Sequence, residues 1–334
     1  MTGSADAVLA RLLEDLPEPD AGSIAEVGDR ARRVLRPLGA LARMDEVAAW
    51  LAGWQRTPRP RVSAPAALVF AADHGVAAEG VSAYPQEVTA AMVKALHEEV
   101  ATASVLARDL GVALRTVDVG VSRPTGNITR EPALDPEAFT RCVEEGRAAV
   151  RSVDADLLAL GEVGIANTTA ASAVAACLWG GPVEGWVGRG SGVDDAALAR
   201  KRRVVSLARR RGGRVGPGEV LRQVGGGELV AIAGAVAEAR ARSIPVVLDG
   251  FAVTAAASAL QAIRPGALSH CLAGHRSPEP GHGTLLRSLG LRPLLDLDLR
   301  LGEGTGALLA VPLLRLACLA VTEVATFEEW GLRP

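Results

Sequence analysis

Six short runs of nearly uninterrupted apolar character punctuate this chain from residue 66 onward: Ala66–Ala72, Leu114–Gly120, Asp156–Gly161, Ile244–Gly250, Leu268–Gly274 and Arg292–Leu297. Longer alanine-rich segments of helical character lie between them. Continuous apolar strands need cover on both faces, and strands separated by helices are joined by crossovers. The pattern predicts an α/β fold with a mostly parallel sheet flanked by helices. Several runs end in Asp or Gly, and ligands of such sheets bind beyond the carboxyl ends of the strands. The chemistry is expected there.

The two ends of the chain read differently. Three short amphipathic helices are predicted over Asp6–Asp15, Ile24–Leu35 and Ala40–Trp54, followed by a proline-rich linker, Thr57–Pro65. The apolar stretch Gly306–Ala325 reads as a helix that Pro312 can kink. With 49% hydrophobic and 22% charged residues in 334, the chain is not disordered, collagen-like or a coiled coil. A net charge of -2 supplies no drive toward nucleic acid or anionic membrane, so a small-molecule partner is expected. Cys142, Cys177, Cys271 and Cys318 lack ligand spacing, which predicts reduced thiols rather than disulfides or a zinc site. Neither a secretory signal nor a spanning helix is expected, since Arg315 and Pro312 interrupt the best late candidate. A cytoplasmic protein follows as the expectation.

Six segments hold side chains with chemistry to offer. Asp73-His74-Gly75 reads as a strand-end turn whose polar groups can be caps or functional residues. Beyond it, Tyr84 is the only tyrosine, and Gln86 can either serve a heterocycle as donor and acceptor or cap the turn beside Pro85. Around Gly161-Glu162-Val163-Gly164, a strand gives way to Asn167 and Thr168 opening a helix. Backbone N–H groups there can hold an anion beside Glu162, or the helix can be merely capped with Glu162 in solvent. Gly188, Gly190 and Gly192 form a flexible loop ahead of a basic helix bearing Lys201, where a lone lysine is ordinarily solvated; neither G-x-G-x-x-G nor G-K-[ST] is present. Gly225–Gly227 and Glu228 suggest close packing of a helix, with a ligand phosphate as the other reading. His275 and His282 have no metal-site spacing, whereas Ser277 between them can bond a phosphate. Finally, Glu303 sits between Gly302 and Gly304 within apolar sequence. Such a carboxyl can have a raised pKa and act as a general base, or it can be a turn residue facing water.

Taken in order, ADHGV–EGVSAYPQEVT, GEVGIANTTAASA, GRGSGVDD–LARK, the LDGF segment, GHRSPEPGHG and LRLGEGTGA resemble the nicotinate-nucleotide–dimethylbenzimidazole phosphoribosyltransferase family of cobalamin nucleotide-loop assembly, from about Arg61 to Trp330. The resemblance implies attack of a base nitrogen on C1′ of nicotinate mononucleotide, with inversion, giving alpha-ribazole 5′-phosphate and nicotinate. It assigns Glu303 as general base and Glu162 as the second active-site glutamate near the ribose. Gln86, Leu301, Tyr84 and Ser82 fall at the benzimidazole pocket. Gly164, Asn167, Thr168, Lys201, Ser277, Gly190 and Asp249 fall at the nucleotide and its phosphate, which promotes Lys201 from solvated residue to anion ligand. No metal and no cofactor are implied.

The resemblance further implies a Rossmann-like catalytic domain over 61–305, a small helical domain from 1–60 plus about 306–334, and a homodimer. One departure stands in the phosphate loop, where Ala166 replaces the family's usual Gly; the N-terminal region matches loosely. Three alternatives remain in view: the same transfer to adenine, another benzimidazole or a phenolic; a non-catalytic nucleotide binder on the same fold; and a Rossmann oxidoreductase. Competition among bases separates the first, and the presence of both Glu162 and Glu303 argues against the second. Bound dinucleotide or flavin absorbance would mark the third.

Overall fold

The computed structural model describes residues 3–332. Helices α1 (Ala5–Leu12), α2 (Ala21–Ala31) and α3 (Ala42–Gln55) precede β1 (Pro65–Ala72), and α4 (Val88–His97) and α5 (Thr102–Asp109) lead to β2 (Ala113–Gly120). After α6 (Pro136–Arg151) comes β3 (Leu157–Val163), then α7 (Asn167–Trp179), α8 (Asp195–Gly212), α9 (Pro217–Val224) and α10 (Gly227–Ala241) before β4 (Val246–Leu248). The chain continues through α11 (Phe251–Ile263), β5 (Cys271–Ala273), α12 (Pro280–Leu289) and α13 (Thr305–Thr322).

All five strands are parallel, in the order β2-β1-β3-β4-β5. The chain steps to one side of β1 and then returns to its other side. The gap between β1 and β3 is therefore a topological switch point, where crossovers diverge and leave a crevice at the carboxyl ends. Register places Phe70 beside Glu162 and Leu160 beside Leu248.

Strand residues alternate between two cores, as the pleat requires. Leu68, Phe70, Leu158, Leu160, Val246 and Leu248 face α6, α7, α10 and α11, while Ala67, Val69, Leu157, Ala159 and Val247 face α5 and α13. Helix α10 is buried from Gly227 to Arg240, which explains why its sequence has no polar stripe. Its closeness to α6 depends on glycine: a Cβ at Gly146 would lie 1.8 Å from Ala231 O, and one at Gly234 2.3 Å from Val143 O. Burial of Leu229, Ile232 and Val236 contributes about 1.5–3 kcal/mol per side chain.

The chain ends meet: Val34 bridges Thr326, and Arg30 donates to Val321 O and Val324 O. Helices α2, α3 and α13 pack together and share the core that covers one sheet face. Helix α1 instead packs on α9, on the opposite side. Helix α13 runs continuously through Pro312. It is the one helix among the described residues long and apolar enough to cross a membrane, and its buried side chains belong to the core. The expected strand at Arg292–Leu297 reduces to a single bridge, Leu295 to His275. Pro293 lacks an N–H for a ladder, and β5 beside it is only three residues long.

Candidate active site

A cavity of about 730 Å³ opens at the carboxyl ends of the strands, within the range of small-molecule sites. Its wall is drawn from the turns after β1, β3, β4 and β5 and from the loop before α13.

That last loop has an unusual backbone. Gly302, Glu303 and Gly304 have φ of +83°, +60° and +78°, a left-handed run in which only glycine is at ease. Glu303 therefore carries roughly 1–2 kcal/mol of strain, and the surroundings hold it in place. Its N–H donates to Glu162 O at 3.0 Å. The Asp249 carboxylate accepts from Gly304 N at 3.1 Å, Gly306 N at 2.7 Å and Ala307 N at 3.1 Å. Gly161 makes room below, since a Cβ there would sit 2.3 Å from Gly304 N. The Glu303 side chain is buried, and its Oε2 has no hydrogen-bond partner. Burial raises its carboxyl above the ordinary range, opposed by the Ala103 backbone N–H and reinforced by Asp249. A desolvated carboxylate with one oxygen unpartnered, on a clamped loop, is suited to receiving a proton.

Glu162, the penultimate residue of β3, is within reach of the same loop: a Cβ on Gly302 would lie 3.1 Å from its Oε1. Asn167 Nδ2 donates to its Oε2. Burial, followed by the nearby Asp249 and Glu228 carboxylates, drives its pKa well above the ordinary value. Behind it lies a fully buried pair, His74 Nε2 to Glu228 Oε1 at 2.7 Å. These residues read as turn and helix-start residues in sequence, and nothing in their spacing joins positions 154 apart.

The α7 end of the cavity is built for an anion. No side chain caps α7, whose N-cap is Ala166 in left-handed conformation at φ +73°; the family's glycine preference there has this physical reason. Gly164 must lack a side chain, because a Cβ would meet Ala72 O at 2.6 Å. Lys201 is 1% exposed and lies just behind the wall, donating to Thr168 Oγ1 at 2.8 Å and Gly188 O at 3.1 Å. Burial lowers its pKa to about 8. Ser277 joins from beyond β5. Its N–H donates to His282 Nδ1 at 3.0 Å. The other ring nitrogen, 3.2 Å from Thr254 Oγ1, therefore carries the proton. Burial and then His275 hold His282 down at about 3, so the ring stays neutral.

Ser82, Tyr84, Val81, Val88, Met92, Leu299 and Leu301 line the remaining, largely apolar end, with Tyr84 and Leu301 half exposed. Of the residues expected at the site, Glu303, Glu162, Leu301, Tyr84, Ser82, Gly164, Asn167, Thr168, Ser277, Gly190 and Asp249 meet in this one cavity wall. Four are placed otherwise than expected, Lys201 among them, since it is buried behind the wall rather than in it. Gln86 is outside the wall, because it precedes α4 and that helix presents Val88 and Met92 instead. Asp249 spends both oxygens on the backbone before α13, so it acts on the Glu303 loop rather than as a free nucleotide ligand. The N–H of Gly190 is taken by Glu279 Oε1 at 2.8 Å; what Gly190 supplies is space, since a Cβ would come 2.7 Å from Thr168 Oγ1 and 3.0 Å from Lys201 Nζ. Glu279, Ser191, Phe251 and Arg300 are polar, aromatic or charged wall residues that the sequence did not single out. Among the described residues no group of three or more His, Cys, Asp or Glu side chains could hold a metal ion.

The phosphoribosyltransferase family model matches residues 16–332. The nicotinate-nucleotide–dimethylbenzimidazole phosphoribosyltransferase of Cereibacter sphaeroides is 45% identical across 96% of this chain and 95% of its own length. That of Ruegeria pomeroyi is 46% identical with the same coverage. The crystal structure of the Thermus thermophilus enzyme of this name superposes with a TM-score of 0.89 at 44% identity, covering 94% of this chain and 99% of that one. With a left-handed glutamate loop facing an uncapped helix end across a single cavity, and relatives alike over nearly their whole length, the chain belongs to the nicotinate-nucleotide–dimethylbenzimidazole phosphoribosyltransferase family.

Proposed function

We infer that this chain transfers the 5-phosphoribosyl group of nicotinate mononucleotide to 5,6-dimethylbenzimidazole in cobalamin biosynthesis, giving alpha-ribazole 5′-phosphate and nicotinate. The observation that carries this reading is the Glu303 carboxyl, buried, raised and with Oε2 unpartnered, in the same cavity as the α7 N-terminus and Ser277.

The nucleotide phosphate sits at the α7 end, held by the helix-end N–H groups, the Ser277 hydroxyl and the Lys201 ammonium behind Thr168 and Gly190. The flat base lies among Val81, Val88, Met92, Leu299 and Leu301, with Ser82 and Tyr84 at its edge. One ring nitrogen attacks C1′ while the bond from C1′ to the nicotinate nitrogen breaks. The bonding pair stays on that nitrogen and cancels its positive charge. The proton on the other ring nitrogen passes to Glu303. Attack from the face opposite the leaving group inverts C1′. Glu162, hydrogen-bonded to Asn167, faces the sugar; a cation arriving beside it favours its ionised form, which then stabilises positive charge building at C1′.

A cytoplasmic homodimer fits this reading, supported by the exposed Leu316 and Leu319, three apart on α13; sedimentation of the purified protein tests the dimer. The activity is tested by incubating purified protein with nicotinate mononucleotide and dimethylbenzimidazole in chelator and looking by mass spectrometry for ribazole phosphate and nicotinate. Absence of product with this base and with a panel including adenine and phenolics would refute the catalytic reading. Product with another base alone would reassign the acceptor.

A further inference from the structure

Glu279, the N-cap of α12, has no part in the mechanism above, yet its side chain reaches into the anion end of the cavity. Its Oε1 accepts from Gly190 N at 2.8 Å. Its Oε2 is buried with no partner, packed where a Cβ on Gly188 would lie 2.3 Å away. The carboxylate thus fills the space that glycine leaves at Gly188 and grips the backbone two residues later. That same stretch holds Lys201, through Gly188 O at 3.1 Å, and passes so close to the ammonium that a Cβ on Gly190 would lie 3.0 Å from it.

We propose that Glu279 is a positioning residue for the phosphate cradle, clamping the Gly188–Gly190 segment over Lys201 and supplying the counter-charge for that buried ammonium. The proposal rests on the reading of this end of the cavity as the nucleotide phosphate site. A buried lysine needs a compensating charge to stay protonated. Burial is the larger influence on Lys201 and pulls it to about 8, with Glu279 acting in the opposite direction. Arg300 lines the same cavity and faces Gly192, at 3.7 Å from a Cβ built there, and adds positive rather than compensating charge; the nearer charged groups are committed elsewhere. Arg189 pairs with Asp195 and donates to Val193 O, Arg200 donates to Gly80 O, and His282 is neutral. Thr168 contributes only a hydroxyl to the ammonium. Glu279 therefore raises the pH above which Lys201 loses its charge. The nucleotide phosphate remains a dianion there, since its second pKa is about 6.

Glu279→Gln tests this, because the amide oxygen still accepts from Gly190 N while the charge is gone. In nicotinate-release assays from pH 6 to 9, the alkaline limb of kcat/KM is expected to move down by about one pH unit, lowering kcat/KM by a factor that approaches roughly tenfold above the old limb. The change should lie in KM for the nucleotide, with kcat held. Glu279→Ala, which also removes the clamp, should raise KM at every pH. Lys201→Met separates the two layers of the argument. If the wild-type alkaline limb survives in Lys201→Met, the phosphate-site reading of Lys201 fails. If that limb disappears in Lys201→Met but stays unmoved in Glu279→Gln, the role of Glu279 is refuted. Unchanged circular dichroism and urea midpoint for Glu279→Gln ensure that the comparison is between folded enzymes.

Discussion

Asp249→Asn tests how the Glu303 loop is held. In the wild type one carboxylate oxygen accepts from Gly306 N and Ala307 N and the other from Gly304 N. Asparagine keeps one oxygen. Turned toward Gly306 and Ala307, it retains two bonds without charge assistance, at a cost of about 1 kcal/mol each. Its NH2 then confronts the Gly304 N–H, two donors face to face, leaving a buried N–H unsatisfied at about 1–3 kcal/mol. The total is about 3–5 kcal/mol, with no volume change to complicate it. Urea unfolding followed by tryptophan fluorescence should show a lower midpoint at unchanged slope. Where the loop gives way locally, kcat should fall at least tenfold while global stability drops less, because Glu303 and the helix start move together. Stability within about 0.5 kcal/mol of wild type, together with kcat within twofold, would refute the idea that Asp249 holds this loop.

Four further outcomes follow from the geometry. Glu303→Gln should lose about a hundredfold or more in kcat while calorimetry shows nucleotide binding retained; and because Glu303 must be ionised to accept a proton, the wild-type acid limb should lie above the ordinary carboxylate range, since burial raises that group. Glu162→Gln should stabilise the empty protein increasingly with pH: the folded state keeps the Glu162 proton that the unfolded chain releases near 4.5, so wild-type stability falls as pH rises through that value toward the raised folded one. A stability gap identical at pH 5 and pH 8 would contradict this. Gly161→Ala places a methyl 2.3 Å from Gly304 N and should displace Glu303, lowering kcat more than nucleotide affinity; wild-type kcat in a folded variant would count against the fit. Ala166→Gly relieves roughly 1–2 kcal/mol of left-handed strain but loses about 0.8 kcal/mol of methyl burial and about 0.4–1 kcal/mol to unfolded-chain entropy, so its urea midpoint should hardly move.

Much of the architecture is legible in the sequence because buried parallel strands write themselves as continuous apolar runs: five of the six expected runs overlap the strands β1 to β5, with β1 and β2 starting one residue earlier and β3 ending two residues later than expected. The sixth, Arg292–Leu297, has the apolar content of a strand but no donor at Pro293 and no long neighbour to pair with. Helix α1 reads like the other N-terminal helices because amphipathicity says which side of a helix is buried and not against what. At the site, Glu303 stands out through its flanking glycines, and the resemblance over six segments brings Lys201 in from a helix where charge alone implies solvent. Gln86 falls outside the cavity because a turn beside proline does not disclose which later residues the helix will aim inward. Asp249 and Glu279 illustrate a deeper limit. Their partners are backbone N–H groups 55 residues or more away, and backbone groups have no signature in sequence. The His74–Glu228 pair escapes notice for a similar reason, since its meaning arises only when two turns are brought together behind Glu162.

The position of Glu303 in the chain has a consequence for biogenesis. All five strands are synthesised before it, and α13, which follows it, covers one face of the sheet. A growing polypeptide therefore assembles strands whose Val69, Ala159 and Val247 lack the cover that α13 supplies, with the Asp249 carboxylate waiting for its N–H donors. Until the final helix docks, that intermediate is at once adhesive and inert, the kind of species that aggregates or engages chaperones. Docking removes both properties in one step, because the N–H groups that satisfy Asp249 belong to the segment that bears the base. Onset of turnover thus serves as a clock for the docking of α13, and refolding followed by nicotinate release should lag behind refolding followed by recovery of helical structure.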